Sequence, residues 1–235
     1  MELVIFGANG PTGRQATEQA IASGHTVTAV TRHPEDFPLG HARLRVAGAD
    51  VLDACAVERL VAGRDAVISA LGVPYGREPV SLYSDGIGHI TQAMTKHGVR
   101  RLVCVSSTVL FGVPAPGEGF FFRAVLEPLI ARTIGRTVYD DMRRMERIVG
   151  DSGLEWTVVR PAGLFDADAV SDYQVGTSRL PGRFTSRADL AHALLRQATG
   201  DRHDRAVRAF IDVRTVEGVP SLLDVLRKEA LGGRK

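Results

Sequence analysis

Residues 1–14, Met-Glu-Leu-Val-Ile-Phe-Gly-Ala-Asn-Gly-Pro-Thr-Gly-Arg, decide how the rest of the chain is read. Residues 3–6 are a short apolar run of β-formers, which predicts a buried parallel strand. Gly7, Gly10 and Gly13 follow at every third position. Pro11 fixes φ for a first helical turn where its missing N–H costs nothing, and residues 15–22 continue as helix formers. Strand, glycine turn and helix in that order leave backbone N–H groups at a helix N-terminus, where the dipole favours an anion and no Cβ obstructs its approach. A pyrophosphate meets that description. Gly7, Asn9, Gly10, Pro11, Thr12, Gly13 and Arg14 are therefore candidate dinucleotide-binding residues. The spacing is Gly-x-x-Gly-x-x-Gly and not the commoner Gly-x-Gly-x-x-Gly, so the flanking strand and helix carry the reading. The alternative is a turn that merely lets a helix pack closely on a strand.

Outward from this stretch, Ser23-Gly24 closes the helix and residues 26–31 alternate into a second, β-branched strand, completing a βαβ unit. Arg32 stands nineteen positions after Gly13, where a site selecting NAD carries an acid for the ribose 2′-hydroxyl. A guanidinium matches a phosphate instead, so the expected cofactor is NADP(H) over NAD(H), with Arg14 assisting; the alternative is a solvated surface arginine. Residues 43–47 read as a third strand. Asp50 and Val51 then fall where the adenine is expected, the carboxylate accepting from its amino group and the valine packing on its ring, while Asp53 caps a helix over 54–62. Residues 65–71 form the fourth strand, with Gly72 at the carboxyl end, the side on which open α/β sheets bind ligands. Ser69, Ala70, Leu71 and Gly72 are accordingly expected along the cofactor.

A helix over 79–97 stopped by Gly98 leads to a fifth strand, 101–105, ending at Ser106. Its hydroxyl is expected at the nicotinamide end, touching the cofactor and holding a carbonyl oxygen; turn chemistry is the other explanation. Residues 111–132 break the pattern with prolines, glycines and Phe120-Phe121-Phe122, and read either as a substrate lid or as a core or dimer contact. Tyr139 and Arg143, four apart in an amphipathic helix over 137–149, share a face and are catalytic candidates. Strand six, 156–160, leads into Pro161, where the chain turns outward beside the cofactor. Ser186 and Asp189 open a helix to 198 as a capping box, residues 173–175 and 206–213 are short late strands, and 221–231 is a terminal helix. Together these predict one α/β domain over 1–235: a Rossmann-type, doubly wound, mostly parallel sheet with a small C-terminal substrate-binding portion, drawn from about 110–135 and 162–185.

Composition sets limits on function. Hydrophobic residues are 44% and charged residues 24%, and no apolar stretch is long enough to span a bilayer, so no membrane partner is expected. The 29 basic and 27 acidic residues leave a net charge of +2 and are scattered, which argues against nucleic acid. Cys55 and Cys104 lack CxxC spacing, and the seven histidines show no ligand spacing, so a cytoplasmic protein with reduced thiols and no metal is expected. A monomer or homodimer acting on a small molecule fits these limits.

The chain resembles the atypical short-chain dehydrogenase/reductases of the NAD(P)H-binding group, which includes biliverdin-IXβ/flavin reductase and the NmrA-like redox-sensing proteins. The likeness runs from Met1 to about Leu195. It is carried by Gly-Ala-Asn-Gly-Pro-Thr-Gly (7–13), Asp50-Val51-Leu52-Asp53, Asp65-Ala66-Val67-Ile68, Val105-Ser106-Ser107, Glu146, Ser152-Gly153-Leu154, and Trp156-Thr157-Val158-Val159-Arg160-Pro161-Ala162-Gly163-Leu164. Catalytic members pair a serine with Tyr-x-x-x-Lys; here Arg143 stands in place of the lysine after Tyr139. The resemblance implies an NADPH-dependent reductase of a flavin, quinone or other conjugated carbonyl acceptor. The same resemblance admits a non-catalytic NADP(H)-sensing protein of the NmrA-like kind, and a nucleotide-sugar epimerase or dehydratase more distantly.

Overall fold

The computed structural model describes residues 1–76, 78–112, 135–201 and 205–220. Along the chain these form β1 (Glu2–Phe6), α1 (Pro11–Ala22), β2 (Thr26–Thr31), β3 (Leu44–Gly48), α2 (Ala54–Val61), β4 (Ala66–Ser69), α3 (Leu82–His97), β5 (Arg101–Val105), α4 (Arg136–Asp151), β6 (Glu155–Pro161), β7 (Gly163–Phe165), β8 (Tyr173–Gly176), β9 (Phe184–Ser186), α5 (Arg187–Thr199) and β10 (Ala209–Thr215). The main sheet has the order β3-β2-β1-β4-β5-β6-β10-β8, parallel throughout except that β8 runs antiparallel to β10. The order reverses between β1 and β4, which opens a crevice at the carboxyl ends of the strands.

Period-two alternation sends the side chains of the central strands into two separate core layers. Leu3, Ile5, Ile68 and Val103 pack against Ala16 and Ala20 of α1 and Leu190 and Leu194 of α5. Val4, Phe6, Val67 and Leu102 pack against α2, α3 and α4 through Val57, Ile87 and Met145. With both faces covered, these strands read as apolar runs, which is why β1 was legible from four residues.

Helix ends show which signals are local. Asp53 caps α2, accepting from the Ala56 N–H at 3.0 Å. Gly24 adopts φ +85° after α1, and Gly98 adopts φ +69° after α3. The start of α3 lies at Leu82, three residues later than expected, because its cap comes from elsewhere. Asp141 of α4, fully buried, accepts from the N–H groups of Tyr83 at 2.8 Å and Ser84 at 3.3 Å, and from the Ser84 hydroxyl. At α5 half of the expected capping box forms: the Asp189 N–H donates to Ser186 Oγ at 3.0 Å. The Asp189 carboxylate instead accepts from the Ser171 N–H at 2.7 Å and from the Ser171 and Thr215 hydroxyls, tying three segments together.

The late strand begins at Ala209, after Arg208 at φ +54°, and not at 206. The parallel pair β7–β9 was not anticipated, since three-residue strands carry no periodicity. The expected terminal helix and residues 113–132 of the expected lid, Phe120–122 among them, lie outside the described residues. Among the described residues no helix is long and apolar enough to cross a membrane.

Candidate active site

An open cleft of about 800 Å³ follows the carboxyl edge of the sheet. At its centre lies the turn between β1 and α1, whose three glycines have different tasks. Gly7 has φ +76°, and an added Cβ would stand 2.5 Å from the Ala70 carbonyl oxygen. A Cβ on Gly13 would collide with the Gly7 carbonyl and lie 2.8 Å from Ala8 Cα, so this glycine lets α1 pack onto the end of β1. Gly10 is the N-cap of α1 at φ −69°, its nearest obstacle is the Gly7 oxygen at 3.3 Å, and it lines the cleft. Gly7 and Gly13 thus answer to packing, and Gly10 to whatever occupies the cleft.

Gly7, Asn9, Gly10, Pro11, Thr12, Arg32, Asp50, Val51, Ala70, Leu71, Gly72, Ser106 and Pro161 all line this cleft, whereas Gly13, Arg14 and Ser69 do not. Arg14 instead braces the turn: its Nε and Nη2 donate to Asn9 Oδ1 at 3.0 and 2.8 Å. Ser69 is buried within β4. Arg32 is exposed where β2 ends and lines the cleft. Asp50 Oδ1 accepts from the Leu52 N–H at 3.0 Å, forming a turn beside Val51, which lines the cleft.

At the other end Ser106 sits on a buried polar chain. Its Oγ donates to Glu146 Oε1 at 2.7 Å, and Glu146 accepts both Nε and Nη2 of Arg160 at 2.9 and 2.7 Å. The Arg160 guanidinium lies between two rings, 4.6 Å from the Phe111 centroid and 4.1 Å from that of Phe210. A hydroxyl has one proton. With that proton directed to Glu146, Ser106 offers lone pairs to the cleft, and donating to a carbonyl oxygen would require the hydroxyl to turn away from Glu146.

Tyr139 is buried on α4, with its hydroxyl 3.0 Å from that of Tyr75 and both rings at the cleft. Arg143 is exposed on the same helix. Its Nη1 donates to Asp140 Oδ1 at 2.7 Å on the solvent side. Four residues advance a helix by about 40° beyond a full turn, enough here to carry the side chain off the buried face formed by Val138, Met142, Met145 and Val149. The expected Tyr139–Arg143 pair is therefore separated.

Sequence reasoning missed three features. Tyr75 carried no signal. Glu146 and Arg160 stood within the family-like stretches, but their joining to Ser106 across forty residues is a tertiary fact. Arg179, Arg183, Arg187 and Arg214 also line the cleft; the first three recur at a spacing of four, a sign bias that was available to be read. Arg214 lies 2.8 Å from Asp212 on the same strand, both buried. Burial pushes the Asp212 carboxyl up to about 6, although Arg214 opposes the shift. Burial likewise raises the Cys104 thiol, which leaves it inert.

A family model described as NAD(P)H-binding matches residues 7–201. Among curated proteins, an uncharacterised chloroplastic protein of Arabidopsis thaliana is 30% identical over 173 residues, 69% of this chain and 59% of that one. An uncharacterised protein of Mycobacterium tuberculosis is 27% identical over 166 residues, 70% of this chain, and the match spans 15% of that relative's length. Among solved structures, a short-chain dehydrogenase/reductase from Veillonella parvula in complex with NADP superposes with a TM-score of 0.75 at 18% identity, covering 92% and 95% of the two chains. An anaerobilin reductase from Escherichia coli O157:H7 gives 0.69 at 20%, covering 94% and 100%. These structural likenesses concern the fold. The glycine turn, the reversal of strand order above it and the family match over residues 7–201 agree: the chain belongs to the NAD(P)H-binding family.

Proposed function

We propose that the protein is an NADPH-dependent reductase that passes hydride to a flavin, a quinone or another conjugated carbonyl acceptor. The residues fit such a cofactor: Gly10 leaves the helix N-terminus open, Arg32 suits a 2′-phosphate, Asp50 and Val51 an adenine, and Ser106 and Pro161 the nicotinamide end. Bound there, the reduced nicotinamide supplies the hydride. Ser106, accepting and not donating, orients an N–H of the cofactor or acceptor.

The observation that carries the choice of acceptor is the placement of Arg143, turned to Asp140 and away from Tyr139. Protonating a simple ketone oxygen during reduction calls for a donor tuned by a nearby cation. A conjugated ring spreads the incoming charge and takes its proton from water, so the tyrosine pair can serve as an apolar wall with hydroxyls. Tyr139→Phe should then leave flavin or quinone turnover within a few-fold and NADPH affinity unchanged. A loss of about 10²–10⁴-fold would instead make Tyr139 a general acid and favour carbonyl reduction. The outward Arg143 also favours a second reading, a non-catalytic NADP(H) sensor, which would bind NADPH and oxidise it with no acceptor.

A further inference from the structure

We propose that Glu146, held by Arg160, is a positioning residue: it keeps the Ser106 hydroxyl a hydrogen-bond acceptor toward the cleft, so that this end selects a cofactor by the N–H of its carboxamide. The proposal rests on the reading of the Ser106 end as the nicotinamide site. Ser106 and Arg160 stand on neighbouring strands. Ser106 follows β5, and its N–H donates to the Val159 carbonyl oxygen of β6 at 2.8 Å, one residue before Arg160. Glu146 reaches both of them from α4. All three residues are buried, and of the three only Ser106 lines the cleft. Glu146 therefore acts through the serine and not on a ligand directly.

Counting donors leaves one arrangement. Arg160 gives Nε and Nη2 protons to Glu146 Oε1 and Oε2 at 2.9 and 2.7 Å, and a guanidinium accepts nothing in return. A carboxylate paired in this way has lone pairs and no proton, so across the 2.7 Å between Ser106 Oγ and Glu146 Oε1 the serine is the donor. Charge on the acceptor makes that bond stronger than one to a neutral carbonyl oxygen, which holds the hydroxyl against turning. Phe111 and Phe210, with ring centroids 4.6 and 4.1 Å from the guanidinium, fix Arg160 and through it the carboxylate. Among the described residues none donates to Ser106 Oγ, and Pro161, next along β6 and also at the cleft, has no N–H to give. The lone pairs of Ser106 are left for a ligand. A buried ion pair is weak ground for stability, because desolvation offsets its attraction. Placed directly behind a cleft serine, this one has a directing task.

The test compares NADP⁺ with its acetylpyridine analogue, in which a methyl group replaces the carboxamide NH₂, by calorimetry on the full chain. The parent should bind NADP⁺ about five-fold tighter or more, the worth of one hydrogen bond. Ser106→Ala should lose that preference. In Glu146→Gln the new NH₂ is repelled by the Arg160 donors and turns to Ser106, whose oxygen accepts it and whose proton swings into the cleft; the preference should vanish there too. Adding Ser106→Ala to Glu146→Gln should then change the ratio of the two affinities no further. A merely structural role for Glu146 would weaken both dinucleotides alike and leave their ratio intact, which would overturn the proposal. Should Glu146→Gln not fold, Glu146→Asp carries the same expectation, since it keeps the charge against Arg160 and draws the carboxylate back from Ser106. Equal affinities in the parent, or a preference that survives Ser106→Ala, would also overturn it while leaving the reductase reading in place. Because the readout is binding, the predicted ratios with no NADPH oxidation by any acceptor would keep the positioning role and remove the reductase reading.

Discussion

Gly7 and Gly10 stand three residues apart and answer to different constraints. At φ −69° Gly10 can be replaced without backbone strain, whereas Gly7 at φ +76° cannot. Gly10→Val should therefore melt at the parent temperature and show no NADPH heat in calorimetry, while Gly7→Val should lose stability as well as binding. A Gly10→Val protein that binds NADPH like the parent would reduce the turn to a packing device. Arg32→Ala should weaken NADPH about ten-fold or more, the worth of a charged bidentate contact, and leave NADH nearly unaffected by calorimetry. Asp212 tests the balance of burial against pairing. Arg214 from its own strand and Arg179 and the Leu180 N–H from the segment packed on it all favour the carboxylate, yet burial outweighs them and the group titrates near 6, above its ordinary 3.8. The folded chain then holds a proton that the unfolded chain has released, so this group's contribution is present below about 4 and is lost as the pH rises through about 6. Carbon-detected NMR of the carboxyl should place its midpoint near 6; a midpoint at or below 3.8 would mean that the ion pair wins.

At the level of elements, the caps explain what was legible. Asp53 caps α2 from three residues away, and such a signal is written in consecutive letters. The cap of α3 lies 58 residues from Tyr83, on a helix that reaches it only after folding. Asp141→Ala should cost about 1–3 kcal/mol in chemical denaturation by leaving the N–H groups of Tyr83 and Ser84 unsatisfied, and it should loosen the α3–α4 contact, whose Tyr83 and Tyr139 also line the cleft. An unchanged midpoint would show that water replaces the carboxylate. Arg143 teaches the same lesson about faces: a spacing of four locates two side chains on one side of a helix, but the position of the apolar boundary decides whether both are buried. Ser106 was found from its place at a strand end, while the direction of its hydrogen bond was set by Glu146, which no local pattern announces.

Over the whole molecule, the sheet places the glycine turn at the switch point of the strand order, with Arg32 on one side of it along the cleft. The half of the cleft next to β1, β2 and β3 was readable because βαβ units carry their turn chemistry within short windows, and Arg32, Asp50 and Val51 all line the cleft. The acceptor half was not, because it is assembled from β6, the β7–β9 pair, α5 and β10, whose contacts close over long separations. On this account one cleft binds NADPH by its glycine turn and Arg32 and reduces a ring held at the far end. The most direct measurement is anaerobic mixing of the protein with NADPH, unlabelled or deuterated at C4, and a panel of flavins, quinones and aldehydes, followed at the nicotinamide absorbance. The account predicts oxidation by a flavin or quinone, faster with NADPH than with NADH and slowed by deuterium. Tight NADPH binding with no oxidation by any acceptor in the panel would contradict it.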